Sequence, residues 1–220
     1  MEKRTIPSYK EGLKELREQL KEMLPSDALA TFDNDAEQLE STHTSILKLN
    51  KGDKAPDFSL VNAVGETVKL SDLLQKGKVV LTFYRGTWCP YCNLQLKQYQ
   101  QILNRIEGSG ASLVAISPQT PDSSLSIKET NELEFEVLSD NGNIVARQFT
   151  TVFKNGDAPI KAMKDLGYDF DSFYGDDSRE IPVPATFIIN EESIITFAKA
   201  EGGDYRNRVE ASTILEALKK

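Results

Sequence analysis

Apolar and polar positions recur along this chain with periods that change from helical to strand-like, and the changes mark out its organisation. Leu13, Leu16, Leu20 and Met23 are spaced by three, four and three among alternating charges. That is the stripe of an amphipathic helix over residues 10–24, ended by Pro25. Ser26 or Asp27 is the expected cap of a second helix carrying Leu29, Phe32, Ala36, Leu39, His43 and Ile46 on one face. Such a hairpin cannot bury its own stripes, so it is expected to lie on the rest of the chain or to build a homodimer. His43 shares the apolar stripe and reads as a packing residue.

From Gly52 onward the runs shorten. Residues 56–60 and 67–70 read as strands around a turn at 62–66, and 71–74 as one helical turn stopped by Gly77. Residues 78–84, KVVLTFY, have the β-branched and aromatic character of a buried strand. Leu96, Tyr99, Leu103 and Ile106, widened by Ile102, form the next helical stripe, which Gly108-Ser109-Gly110 ends. Residues 111–117, ASLVAIS, make a second buried strand, so strand, helix and strand predict a parallel βαβ unit. A helix from Pro121 to about Leu133, a strand at 135–138 and a helix over 143–149 follow. Residues 150–181 are the least regular part, with a short helix near 161–166. Strands at 184–190 and 193–199 form an antiparallel hairpin, and a helix over 206–218 turns Val209, Ile214, Leu215 and Leu218 inward. The pattern is α/β, a central mixed sheet flanked by helices over residues 51–220, with residues 1–50 as a helical extension.

Composition narrows the partners. A formal net charge of −8 argues against nucleic acid and anionic membrane surfaces. No apolar run approaches the ~20 residues of a membrane span. The first twenty residues lack the apolar core of a signal peptide, so the cytoplasm is the expected compartment.

The chain has two cysteines, and both fall in Phe83-Tyr84-Arg85-Gly86-Thr87-Trp88-Cys89-Pro90-Tyr91-Cys92, between a strand pattern and a helix pattern. Pro90 suits the first helical position, which makes Cys89 the N-cap and puts Cys92 in the first turn. Free amides and the positive end of the helix stabilise a thiolate there, and Arg85 offers a second positive charge. Other uses of the pair fit less well. Zinc and iron–sulfur sites need more ligands than two cysteines and His43 supply. Covalent haem attachment requires a histidine where Asn93 stands, and a bridge this local closes too short a loop to stabilise much. A redox-active dithiol needing no cofactor or metal is the reading that survives. On position alone Cys89, as the N-cap, is expected to be the more exposed sulfur and the thiolate. The aromatic and acidic stretch 168–180 does not match a calcium loop, since Phe173 and Tyr174 occupy a ligand place and the glycine place. It reads first as a loop packed over the domain and second as a flap over substrate or partner.

The order of elements around Trp-Cys-Pro-X-Cys resembles the thioredoxin fold. Gly52-Asp53-Lys54-Ala55-Pro56-Asp57-Phe58, Phe83-Tyr84 and Ala185-Thr186-Phe187-Ile188-Ile189-Asn190 sharpen the resemblance to the peroxiredoxin-like branch, the alkyl hydroperoxide reductase and thiol-specific antioxidant group, over residues 52–218. That family carries Pro-X-X-X-Thr/Ser-X-X-Cys, whose cysteine attacks peroxide. Aligned through Phe83-Tyr84, the attacking cysteine is Cys92, while Arg85 stands at the proline place and Cys89 at the threonine place. The family's peroxide-polarising arginine would fall at Pro184, where thioredoxins have a cis-proline, so a cis Val183–Pro184 bond is expected. The resemblance implies an antioxidant enzyme that reduces hydrogen peroxide or alkyl hydroperoxides through a Cys89/Cys92 cycle. Arg85, Thr87, Trp88 and Pro184 support the pair, and a thioredoxin- or glutathione-type reductant restores it. Protein dithiol–disulfide exchange and a non-catalytic redox-sensing module are the alternatives.

Overall fold

The computed structural model describes residues 5–43 and 46–220. Helix α1 (Tyr9–Met23) is capped twice. The Ser8 hydroxyl accepts from the Glu11 amide, and the Glu210 carboxylate accepts from the Tyr9 and Lys10 amides at 2.7 and 2.9 Å. First-turn amides without intrahelical partners are thus satisfied from the far end of the chain. Helix α2 (Ser26–Thr42) begins at Ser26 itself, with Pro25 rather than Ser26 or Asp27 in the cap position. The fixed φ of that proline stops one helix and starts the next.

Strands β1 (Ser59–Asn62) and β2 (Thr67–Lys69) form the first hairpin and lead through α3 (Leu70–Leu74) to β3 (Lys78–Phe83). The single helix expected after the cysteine motif is divided into α4 (Pro90–Gln101) and α5 (Leu103–Glu107), because Ile102 leaves helical geometry at φ −105 and ψ 4. Strand β4 (Ala111–Ser117), helix α6 (Pro121–Thr130), strand β5 (Glu136–Ser139) and helix α7 (Ala146–Phe149) follow as expected in type. The irregular region is more ordered than its sequence suggests. It contains β6 (Val152–Lys154), α8 (Asp157–Asp165) and β7 (Glu180–Pro182), with β6 and β7 paired antiparallel. Three-residue strands are too short to show a period, and Pro159 hides a helix start although the first turn needs no amide there. Strands β8 (Ala185–Ile189) and β9 (Ile195–Lys199) and helix α9 (Ala211–Ala217) complete the chain.

Seven strands make one mixed sheet in the order β2-β1-β5-β4-β3-β8-β9. Strand β3 is central, parallel to β4 from Lys78↔Ala111 to Phe83↔Ile116 and antiparallel to β8. One face carries Leu96, Tyr99, Ile106 and Ile214; the other carries Leu81, Phe83, Phe149 and Phe187. A smaller cluster, including Phe153, Met163 and Phe170, lies by α8.

The N-terminal hairpin is seated on its own chain. Leu13, Leu16 and Leu20 pack on the first layer, Phe32 on the α8 cluster, and Leu39 on both. Helix α1 meets α4 at Gly12, where a Cβ would come within 2.9 Å of Gln98 Nε2. Arg17 forks onto Asp33 at 2.5 and 2.8 Å, and Arg206 reaches the same carboxylate at 2.8 Å. His43 packs as expected, its ring 5.7 Å from that of Phe153.

Candidate active site

Strand β3 delivers the chain to Tyr84, and the next residues turn sharply into α4. Gly86 is required in that turn, since a Cβ would lie 2.5 Å from Trp88 Nε1. Cys89 is the N-cap with extended backbone, Pro90 opens the helix, and the Cys92 and Asn93 amides donate to the Cys89 carbonyl at 3.0 and 3.1 Å. The placement inferred from the motif is therefore found. The expected difference in exposure is not: both cysteines are fully buried. The hairpin covers the end of the helix that an N-cap would otherwise show to solvent, and Arg17 reaches the Tyr91 hydroxyl at 3.3 Å.

Two buried guanidiniums flank the sulfurs. Arg85 Nη1 is 4.0 Å from Cys89 Sγ, and the group sits 3.6 Å from the centre of the Tyr205 ring and 4.7 Å from that of Trp88. Cation–π contact of this kind holds a desolvated arginine. Arg208 Nη2 is 3.3 Å from Cys92 Sγ and 3.9 Å from Cys89 Sγ. Its Nη1 donates to the carbonyls of Asn207 and Tyr205. Arg208 was expected inside the last helix, but residues 206–210 precede α9 and lead into the extended cap at Glu210. Tyr99 fixes this segment by donating its hydroxyl to the Val209 carbonyl at 2.9 Å.

The electrostatics separate the two thiols. Burial raises the Cys89 thiol, and the neighbouring Cys92 sulfur raises it further, well above the usual thiol range, despite Arg85 and Arg208. Burial also opposes ionisation of Cys92. The Cys89 thiol donating to its sulfur, then Arg208 and Arg85, outweigh that and hold Cys92 well below the usual range. A buried arginine demands an anion, and Cys92 supplies one. These directions run against the thiolate expected at Cys89: the Cys89 thiol three residues away favours the Cys92 anion most, followed by Arg208 and Arg85.

The supporting residues divide. Thr87 acts through its backbone: its amide donates to Gln119 Oε1 at 2.7 Å and its carbonyl accepts from Asn93 Nδ2 at 2.8 Å. Trp88 Nε1 donates to the Tyr174 hydroxyl at 2.8 Å, which donates to the Arg85 carbonyl at 3.1 Å. With the Phe170 ring tilted against those of Trp88 at 5.4 Å and Tyr174 at 4.9 Å, the 168–180 stretch is a packed cover over the motif. Pro184 is buried between β7 and β8, and no peptide bond is cis among the described residues, so the expected cis bond is corrected to trans. No arginine stands at that position; the second guanidinium beside the sulfurs is Arg208, from the C-terminal segment. Sequence reasoning missed Arg208; its one signal was a cation placed between Tyr205 and Val209, both apolar and buried.

A cavity of about 340 Å³ opens between the hairpin, α8 and the motif, with Cys89 and Arg85 in its wall. A larger open hollow of about 670 Å³ near Lys54 and Asp57 touches neither cysteine.

Comparison with known proteins agrees with this architecture. Residues 51–198 match the model of the AhpC/TSA family. The chain is 30% identical over 148 residues to the putative peroxiredoxin bcp of Helicobacter pylori, spanning 67% of this chain and 86% of that protein. It is 36% identical over 101 residues to the putative peroxiredoxin bcp of Buchnera aphidicola, covering 46% of this chain and 63% of that one. For the chloroplastic peroxiredoxin Q of Populus jackii the match is 33% over 108 residues, 49% of this chain and 50% of that one. The chain thus spans half to under two thirds of two of these relatives. The peroxidoxin BcpB structure from Mycobacterium tuberculosis superposes with a TM-score of 0.61 at 23% identity, covering 78% of this chain and 97% of that one. A peroxiredoxin-like protein from Aquifex aeolicus gives 0.61 at 16% identity, covering 78% and 86%. The fold is thioredoxin-like, as the element order predicted.

Proposed function

We propose, since the chain belongs to the AhpC/TSA family, that it is a thiol-dependent peroxidase in which Cys92 attacks and Cys89 resolves. The observation that carries the assignment is Arg208 Nη2 at 3.3 Å from the Cys92 sulfur. The Cys92 thiolate attacks one peroxide oxygen, the O–O bond breaks, and the departing oxygen leaves as water or alcohol after taking a proton. Cys92 becomes a sulfenic acid. With the neighbouring thiolate consumed, Arg85 and Arg208 act on Cys89 alone and favour its ionisation. Cys89 then attacks the Cys92 sulfur, expels water and closes the disulfide. A thiol reductant, of thioredoxin type by family, reopens it.

Dithiol–disulfide exchange as the main activity loses its support, because it rested on Cys89 as the exposed thiolate beside a cis-proline. Hydrogen peroxide or an alkyl hydroperoxide is the substrate in this reading, and an acidic protein of the cytoplasm the setting. A homodimer through the N-terminal helices is proposed at the exposed Met23 end; a monomer mass by light scattering overturns it. The test of the mechanism is peroxide treatment of two variants. Cys89→Ser is expected to accumulate a trappable sulfenic acid at Cys92, and Cys92→Ser to stay unoxidised. Sulfenic acid at Cys89 in Cys92→Ser reverses the roles.

A further inference from the structure

The cavity beside the dithiol has a composition that the peroxide step does not explain. Its walls come from the N-terminal hairpin, through Leu16, Leu20 and Phe32, and from α8 and the turn after it, through Met163 and Leu166. Cys89 forms part of the wall and Cys92 does not. Cys92, proposed to meet peroxide, is thus outside the lining, while Cys89 borders the cavity although it is itself fully buried. Among the described residues Arg85 is the sole charged one in the lining, and the Trp88 and Tyr205 rings lie against its guanidinium. Asn155 also lines the space, 2% exposed, and its side-chain oxygen and nitrogen have no hydrogen-bond partner among the described residues. A buried amide left unpaired is costly, which marks it as waiting for a donor and an acceptor. The volume, about 340 Å³, lies at the small end of small-molecule sites, roughly 300–1,000 Å³.

We propose that this cavity admits a small, uncharged thiol carrying an amide, which reduces the Cys89–Cys92 disulfide at Cys89. The proposal rests on the peroxidase reading above for the formation of that disulfide. It adds a route to whatever protein reductant the enzyme also uses. In the step, the ligand thiolate attacks Cys89 Sγ, the Sγ–Sγ bond breaks, and Cys92 leaves with the electron pair. Cys92 is the better leaving group because its thiolate is held by Arg208 at 3.3 Å, and leaving-group stability speeds exchange. A second thiol attacks the ligand sulfur of the mixed disulfide and releases Cys89, which takes up a proton. Two thiols are oxidised to one disulfide and the protein dithiol is restored. Asn155 pairs with the ligand amide while the apolar walls hold its chain.

The test measures reduction separately from oxidation. The disulfide is made with diamide and its reduction followed through Trp88 fluorescence and thiol mass, with N-acetylcysteamine and glutathione as probes. Per thiolate, N-acetylcysteamine is expected to react at least about tenfold faster than glutathione. Asn155→Leu is expected to slow N-acetylcysteamine about fivefold, the loss of one buried hydrogen-bonded contact. Leu20→Trp and Met163→Trp fill the cavity from opposite walls, and either one that folds is expected to slow the same probe. Equal rates for the two thiols, or fillings that leave reduction unchanged while slowing oxidation by cumene hydroperoxide, overturn the proposal and give the cavity to the peroxide. Failure of peroxide to oxidise the reduced protein overturns the peroxidase reading alone, because diamide supplies the disulfide independently.

Discussion

Cys89 and Cys92 lie in one turn of one helix, yet the regions they face differ in origin and chemistry. Cys89 looks toward the hairpin, where Leu16, Leu20 and Phe32 wall an apolar cavity. Cys92 looks toward the C-terminal segment, where Arg208 stands 3.3 Å away with its charge desolvated. The helix end offers both sulfurs a similar field. Both sulfurs have a buried guanidinium within 4.0 Å, but Arg208 lies closer to Cys92, at 3.3 Å against 3.9 Å for Cys89, and only Cys89 borders the apolar cavity.

The strongest break of this comparison is removal of the sulfur on the charged side. Cys92→Ser is expected to lower peroxide consumption by about three orders of magnitude or more, as loss of an activated nucleophile does, while Cys89→Ser still reacts once. Peroxide consumption in a coupled or direct ultraviolet assay decides it. The next break removes the apolar side. Deleting residues 1–46 strips Leu13, Leu16, Leu20 and Leu39 from their seat, and each such side chain contributes about 1.5–3 kcal/mol as an upper bound. The thermal midpoint by calorimetry is expected to fall by at least ~10 °C; an unchanged midpoint shows that the hairpin is not seated as described.

A gentler change tests the charge itself. Arg208→Met is expected to raise the Cys92 thiol and shift its alkylation and peroxide-oxidation profiles to higher pH, with a loss of up to about tenfold per unit only where the assay pH lies below the raised value. The sign follows from the direction of the shift. Cys92 is depressed in the folded protein, so the stability linked to its thiolate is full only above the free-thiol value of about 8.5 and declines as pH falls, until it is lost below the lowered value. Without Arg208 that loss is complete at higher pH, and the alkylation profile moves upward. Arg208→Lys is expected to restore part of the shift. The smallest effect is at the cover. Tyr174→Phe removes the acceptor of Trp88 Nε1 and the donor to the Arg85 carbonyl, a loss of about 1 kcal/mol. A red shift of Trp88 emission with near-normal peroxide turnover is the expected readout.

Periodicity alone located both N-terminal helices, the central strand, its parallel partner and the closing antiparallel hairpin, since each is long or apolar enough to show its period. The cysteine motif likewise declared a capped helix start, because Pro90 has few other places to stand. What stayed hidden was local in sequence and long-range in space. Strands β6 and β7 are three residues each and pair across the 25 residues between them only when α8 folds there. Arg208 reads as one more surface cation until residues 206–210 run extended and carry it under the motif. The exposure of Cys89 depended on where the hairpin lay, and an amphipathic stripe states that a face is buried without stating against what. Sequence by itself determined the elements, the dithiol and its place at a helix start. Only the tertiary structure brought Arg208 beside the two sulfurs, from 119 and 116 positions away, because Coulomb interactions and desolvation act through space and not along the chain.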